Sequence, residues 1–227
     1  MKLRFGLLAA IAAAFLTGCA APPPSQVSVR YRMVAEPGLR VGVAMSPLPQ
    51  VDTSFPGAEW PLCRAAAAVA NSSLTAHTRT LPIDDLARLK GEIAEALKLK
   101  GLVPVVIDEP IDVDKLPKVS STAVSRDYSA LQARYRLDKL LVVELKEVGI
   151  TRAYSSYIPT GEPKGIVRGA SYIINLKDRS YEWYLPVLQQ KSVQGNWDEA
   201  PAFPGLSNAY YQAVEEARDA ILQPLAN

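Results

Sequence analysis

Residues 82–107 constrain the fold more tightly than any other stretch of this chain. Pro82 opens a helical pattern, and Asp84 and Asp85 occupy its first turn, where carboxylates suit the positive end of a helix dipole. Leu86, Leu89, Ile93, Ala96 and Leu97 recur at steps of three and four, which predicts one buried face along a helix ending near Lys100. Lys98 and Lys100 sit in the last turn and Gly101 supplies the stop. Leu102–Ile107 then reads as a short apolar strand. A second strand candidate lies upstream at Leu39–Met45, closed by Pro47 and Pro49. Strand, helix and strand in that order predict an α/β unit.

The remaining segments extend this pattern. Ala58–Ala70 is alanine-dense and has helical composition. Asp108–Thr122 is a loop rich in proline and acids, and Ser125–Tyr135 is a further helix candidate. Leu140–Val148 is the strongest strand signal, with Gly149 marking a bulge or bend and Ala153–Ile158 continuing it. Pro159–Pro163 is turn chemistry, and Gly165–Leu176 and Tyr181–Gln190 return as strands, which predicts a three-stranded meander. Ser207–Leu222 closes the chain as a helix with Tyr211, Val214, Ala217 and Ile221 on one stripe. The order βαα-β-α-βββ-α implies an α/β sandwich with helices packed on a mixed sheet, with α+β as the alternative class.

The first nineteen residues carry a different kind of information. Lys2 and Arg4 precede an apolar run of twelve residues, Phe5–Leu16, and Leu16-Thr17-Gly18-Cys19 follows from its end. As a helix the run is about 18 Å long, too short for a hydrocarbon core of about 30 Å, and Pro22-Pro23-Pro24 blocks its extension. The arrangement is that of a secretory signal, and its end resembles the lipobox of bacterial lipoproteins. The resemblance implies cleavage before Cys19 and acylation of that residue. Because Ala20 follows instead of Asp, it also implies delivery to the periplasmic leaflet of the outer membrane. The expected organisation is a signal peptide over residues 1–18, a lipidated tether over 19–30 and one globular domain over 31–227. The signal removes two basic residues and no acidic ones, so the mature chain holds 23 of each sign and is formally neutral. That balance argues against nucleic acid as a partner.

Enzyme signatures fail on inventory. With His77 as the single histidine, two-histidine metal sites are excluded, and no G-x-S-x-G, Walker A or C-x-x-C pattern occurs. No catalytic residue, metal or cofactor is expected, and His77 reads as a surface or capping residue. Asp108, Glu109, Asp112 and Asp114 invite a calcium reading, but they lack the glycine and distal glutamate of an EF-hand and read as a solvated loop. Cys63, left without a partner once Cys19 is acylated, reads as a small buried hydrophobe. Asn71-Ser72-Ser73 matches a glycosylation sequon with no expected use. Two segments offer candidate binding surfaces: Tyr154 and Tyr157 near a turn, and Trp197 and Phe203 before the last helix. The alternative is that these aromatics cover the sheet edge and that helix.

Phe55-Pro56-Gly57-Ala58, Tyr135-Arg136-Leu137-Asp138-Lys139-Leu140-Leu141-Val142-Val143 and Tyr181-Glu182-Trp183-Tyr184-Leu185-Pro186 resemble a poorly characterised family of periplasmic α/β outer-membrane lipoproteins. The element order is also similar to curli-secretion and peptidoglycan-synthase-activator lipoproteins. With the tether, the neutral charge balance and the missing catalytic inventory, the expectation is a non-enzymatic structural or accessory binding module of an envelope assembly, held on the membrane by its lipid anchor and bound to an envelope protein. A small-ligand or glycan binder using Tyr154, Tyr157 and Trp197 is the alternative, and a hydrolase using His77 is a weaker one. Cys19→Ser is expected to abolish acylation of the chain. Metabolic labelling with a palmitate analogue checks this.

Overall fold

The computed structural model describes residues 37–120 and 123–226. Cys19 and the signal and tether assigned to residues 1–30 lie outside that range. The chain enters the fold where the Gly38 amide donates to the Gly101 carbonyl at 2.9 Å.

Five strands run side by side in the order β3–β1–β4–β7–β8: β1 (Arg40–Met45), β3 (Val103–Val106), β4 (Lys139–Thr151), β7 (Lys164–Asn175) and β8 (Ser180–Ser192). β1 is parallel to both β3 and β4, whereas β4, β7 and β8 are antiparallel neighbours. The sheet is therefore mixed, and both the predicted β–helix–β unit and the meander are present. A sixth strand, β2 (Asp52–Ser54), pairs with residues 149–151 of β4, on the edge that β1 covers at residues 139–143. Two short strands thus lie end to end along one long one. Residues 153–158 do not prolong β4 as expected; they form a separate small hairpin of β5 (Tyr154–Ser155) and β6 (Ile158–Pro159).

The alanine-rich helix expected over 58–70 is α1 (Pro61–Ala70), starting three residues later, and a further helix not expected, α2 (Ser72–Thr78), follows it after Asn71. α3 (Asp84–Leu99) buries Leu86, Leu89, Ile93, Ala94 and Leu97, the stripe its spacing predicts, with Ala96 packed partly against the core. α4 is Ser129–Tyr135, shorter than predicted, and α5 is Pro204–Ala226. On α5 the buried stripe runs through Tyr210, Val214, Ala217 and Ile221, and Tyr211 is exposed. A three-residue step back from Val214 reaches Tyr211 and a four-residue step reaches Tyr210. The choice is settled by the Tyr210 hydroxyl, which donates to the Pro82 carbonyl at 2.6 Å.

Two cores sandwich the sheet. α3 and α5 cover one face, against Val41, Val43, Leu141, Val143 and Val167. Residues 107–120 and 123–128, with α4, cover part of the other, against Leu140, Val142, Tyr172 and Ile174. There Tyr128 and Tyr172 meet hydroxyl to hydroxyl at 3.2 Å. Burial pushes Tyr128 up to about 12 and raises Tyr172 further, so both stay neutral as hydrogen-bonding phenols.

One ion pair lies inside this framework. Lys139 Nζ approaches Glu182 Oε2 at 2.9 Å, off the hydrogen-bonding direction, and both side chains are almost fully buried. Asn175 Nδ2 donates to the other carboxylate oxygen at 3.2 Å. β7 separates these two strands, so the pair fixes three strands in register. Losing one partner strands a charge in the interior, at a cost of about 3–5 kcal/mol, whereas apolar replacement of both is far milder. Lys139→Met is accordingly expected to lower stability by that amount, and Lys139→Met with Glu182→Leu to recover most of it, as read by urea denaturation.

Candidate functional site

A bulge in β4 creates the most prominent concavity. Up to Leu145 the odd-numbered residues of β4 face the α3–α5 core. The pairing then skips Lys146, from Leu145↔Gly169 to Glu147↔Arg168, so beyond it the even residues Val148 and Ile150 face that core. Glu147, Gly149 and Thr151 are thereby turned to the opposite face. Gly169 permits the kink, since a Cβ there would lie 2.1 Å from the Glu144 carbonyl oxygen.

On that face the loop-and-α4 layer ends, and an open groove of about 620 Å³ takes its place. Its floor includes Ile166, Arg168, Leu188 and Gln190, and its wall is β2 with Phe55 and Pro56. Glu147 is the polar centre. Its carboxylate accepts a short hydrogen bond from Ser54 and pairs with Arg168 Nε at 2.8 Å. Ser54 Oγ also lies 2.9 Å from Thr151 Oγ1. A second cavity, of about 440 Å³, lies on the α2 side of β2, and Asp52, Thr53, Phe55 and Arg64 line both.

β2 is too short to hold itself in place, and its supports are visible. Arg79 grips Asp52 with two hydrogen bonds, at 2.9 and 3.1 Å, and Thr53 Oγ1 donates to Thr78 Oγ1 at 3.2 Å. Gly149 (φ +145) lets the two backbones close up, because a Cβ there would sit 2.0 Å from the Asp52 carbonyl oxygen. The sequence marked Gly149 as a bend, but β2 itself carried no strand signal: three polar residues between prolines have neither length nor alternation.

The aromatic residues singled out in the sequence divide between packing and exposure. Tyr154 is buried with Ala58, Cys63 and Ala67, edge-on to Phe55 at 5.8 Å. Phe203 is also buried, against His77 with ring centroids 5.3 Å apart. Trp197 is half-buried under the Arg152 guanidinium, 4.6 Å from the ring centre. Tyr157 alone of the four stands out in solvent. Three of these segments are tied together by Asn71, which is itself buried and makes no accessible sequon. Its amide nitrogen donates to the Ala67 carbonyl and the Tyr154 hydroxyl, and its oxygen accepts from Arg152, each at 2.7 Å.

His77 has a partner that local sequence did not reveal: its Nε2 lies 2.8 Å from Ser207 Oγ, contributed by α5. Ser207 Oγ also donates to the Phe203 carbonyl at 3.1 Å. With its proton engaged there, the hydroxyl accepts from the Nε2–H tautomer, an arrangement suited to docking α2 on α5. Partial burial lowers the His77 pKa and favours this neutral form. Cys63 is a buried free thiol, and its neighbourhood raises the Tyr157 pKa. The acidic loop is neutralised by its own cations, Asp112 by Lys115 at 2.8 Å and Asp114 by Arg126 at 3.0 Å. Among the described residues no cluster of three metal-ligating side chains occurs.

No family model matches this chain, and no curated protein matches it. Solved structures do. The PelC dodecamer from Paraburkholderia phytofirmans matches over 88% of this chain and 94% of its own, at 12% identity and TM-score 0.33. Lipoprotein GNA1162 from Neisseria meningitidis matches over 78% and 96%, at 9% identity and TM-score 0.37. Protein XCC0632 from Xanthomonas campestris matches over 89% and 91%, at 13% identity and TM-score 0.35. Likeness at this level leaves function to the chain's own residues.

The Asn71 network yields a direct test. Asn71→Ala orphans the Tyr154 hydroxyl and the Arg152 guanidinium together, at a cost of about 2–4 kcal/mol. Thermal unfolding should show a drop in Tm of several degrees, whereas Ser72→Ala, on the exposed side of α2, should leave Tm unchanged.

Proposed function

We propose that this protein is a lipid-anchored outer-membrane lipoprotein, facing the periplasm, that serves as a non-enzymatic accessory binding module of an envelope assembly. The groove beside β2 is its docking place. The observation that carries this reading is the groove's chemistry. Its central carboxylate is already matched by Arg168 and Ser54, so it has the character of a fixed recognition element and not of a free acid or base. Around that pair, Phe55, Pro56, Ile166 and Leu188 supply apolar contact area. Neither His77 nor Ser207 lines it.

The resemblance at Leu16-Thr17-Gly18-Cys19 supports the anchor and the leaflet. No helix among the described residues is long and apolar enough to cross a membrane. The glycan-binding reading gains little support, because Tyr154 is buried and Arg152 lies over the face of Trp197.

A photo-crosslinking residue at Leu188 tests the proposal in intact cells. It should capture a discrete envelope protein, the adduct should disappear with Arg168→Glu, and the same probe at exposed Lys98 on α3 should give none. No adduct at Leu188, or the same products from both positions, overturns it.

A further inference from the structure

Five of the ten large exposed apolar side chains among the described residues lie on α1, at its N-cap or on the β5–β6 tip. Trp60 is 79% exposed, Leu62 74% and Val69 77%, and at the tip Tyr157 is 57% and Ile158 68% exposed. Tyr154 of β5, packed against Cys63 and Ala67 of α1, joins the two elements. α1 buries Cys63 and Ala67 inward, and Leu62, Ala65, Ala66 and Val69 follow one another at helical spacing on its outer side. Within α1 the only charge is Arg64, and the flanking Glu59 accepts from the Gly57 amide. Folding leaves this apolar stripe unburied, although propensity alone would tolerate polar residues there.

The shape of the patch decides between a protein and a lipid surface. Its bulky side chains each stand more than half clear of the protein, separated by alanines, from a helix flank and the turn of a hairpin. A protein interface surrounds such side chains with a polar, hydrogen-bonding rim, whereas this helix offers Arg64 as its only charge. Protruding side chains of this kind enter the boundary between headgroups and acyl chains, where tryptophan and tyrosine are favoured at the polar level and leucine, valine and isoleucine below it. The chain outside the described residues also permits this. Seventeen residues lie between Cys19 and Pro37, and the eighteen steps from one to the other can span roughly 55 Å at about 3.1 Å each. The thirteen residues of β4 span roughly 40 Å at about 3.3 Å each. Val41 pairs with Lys139 at one end of β4 and Ser54 with Thr151 at the other. The far end of the sheet, where β2 leads into α1, is thus within reach of the leaflet that would hold the acyl chains.

We propose that α1 and the β5–β6 tip form a second, reversible membrane contact, seated on a phospholipid surface through Trp60, Leu62, Val69, Tyr157 and Ile158. The role of the tether rests on the lipid-anchor reading; the contact itself does not, and its test dispenses with the anchor. The mature chain carrying Cys19→Ser is mixed with vesicles of phosphatidylethanolamine and phosphatidylglycerol at a 3:1 ratio. The unacylated protein should float with the vesicles, and its tryptophan emission should shift to the blue, a shift lost in Trp60→Phe although that variant still floats. Trp60→Ser combined with Ile158→Ser should reduce the bound fraction at least tenfold without changing Tm. Absence of flotation, or flotation indifferent to the double substitution, overturns the proposal. So does a dimer in sedimentation equilibrium that the double substitution dissolves, because the patch would then belong to a second copy. Flotation of the unacylated chain stands whether or not Cys19 is modified in cells, so the two readings fail separately.

Discussion

The long strand β4 and its bulge at Lys146 set the terms for everything around them. Before the bulge both faces of β4 are covered, one by α3 and α5 and the other by residues 107–120 and 123–128 with α4. After it, one face stays in the core and the other turns Glu147 and Thr151 outward. A single inserted residue therefore divides the strand into a structural half and a half that lines a groove. Without it, Glu147 would point between α3 and α5, where a carboxylate has no partner.

The pairing partners of β4 follow the same division. β1 covers its first half and β2 its second, on one edge, in tandem. β1 is buried beneath two cores, whereas β2 is held by side chains: Asp52 by Arg79, Thr53 by Thr78, and Ser54 by Glu147 and Thr151. The groove wall is thus attached by polar contacts to a scaffold held together by apolar packing. Contacts of that kind are worth less individually, and such segments open more readily than core strands.

Legibility from sequence tracked the origin of each feature. Helix α3, strand β4 and the meander were readable because their burial repeats at regular spacing over many residues. Helix α2 was not, because Ser72–Thr78 is short and rich in serine and threonine, and Asn71 before it is committed to a tertiary network that local sequence does not show. Tyr210 and Tyr211 compete at equivalent spacing, and a distant carbonyl decides between them. The groove was hidden for a stronger reason. Glu147, Arg168 and Ser54 are unremarkable in sequence and meet only because a bulge and a three-residue strand place them together. Ser207 beside His77 is the same case, with partners 130 residues apart.

The position of the chain's entry has a mechanical consequence. Residue 37 leads directly into β1, which lies between two parallel neighbours, β3 and β4. A pull on the incoming chain, along the strand and away from the sheet, loads the hydrogen bonds of both ladders at once, in shear. No bond at the end of a ladder can yield before the others. A protein tugged between an anchor at one end and a bound partner at the other would hold where a strand peeled from an edge would unzip.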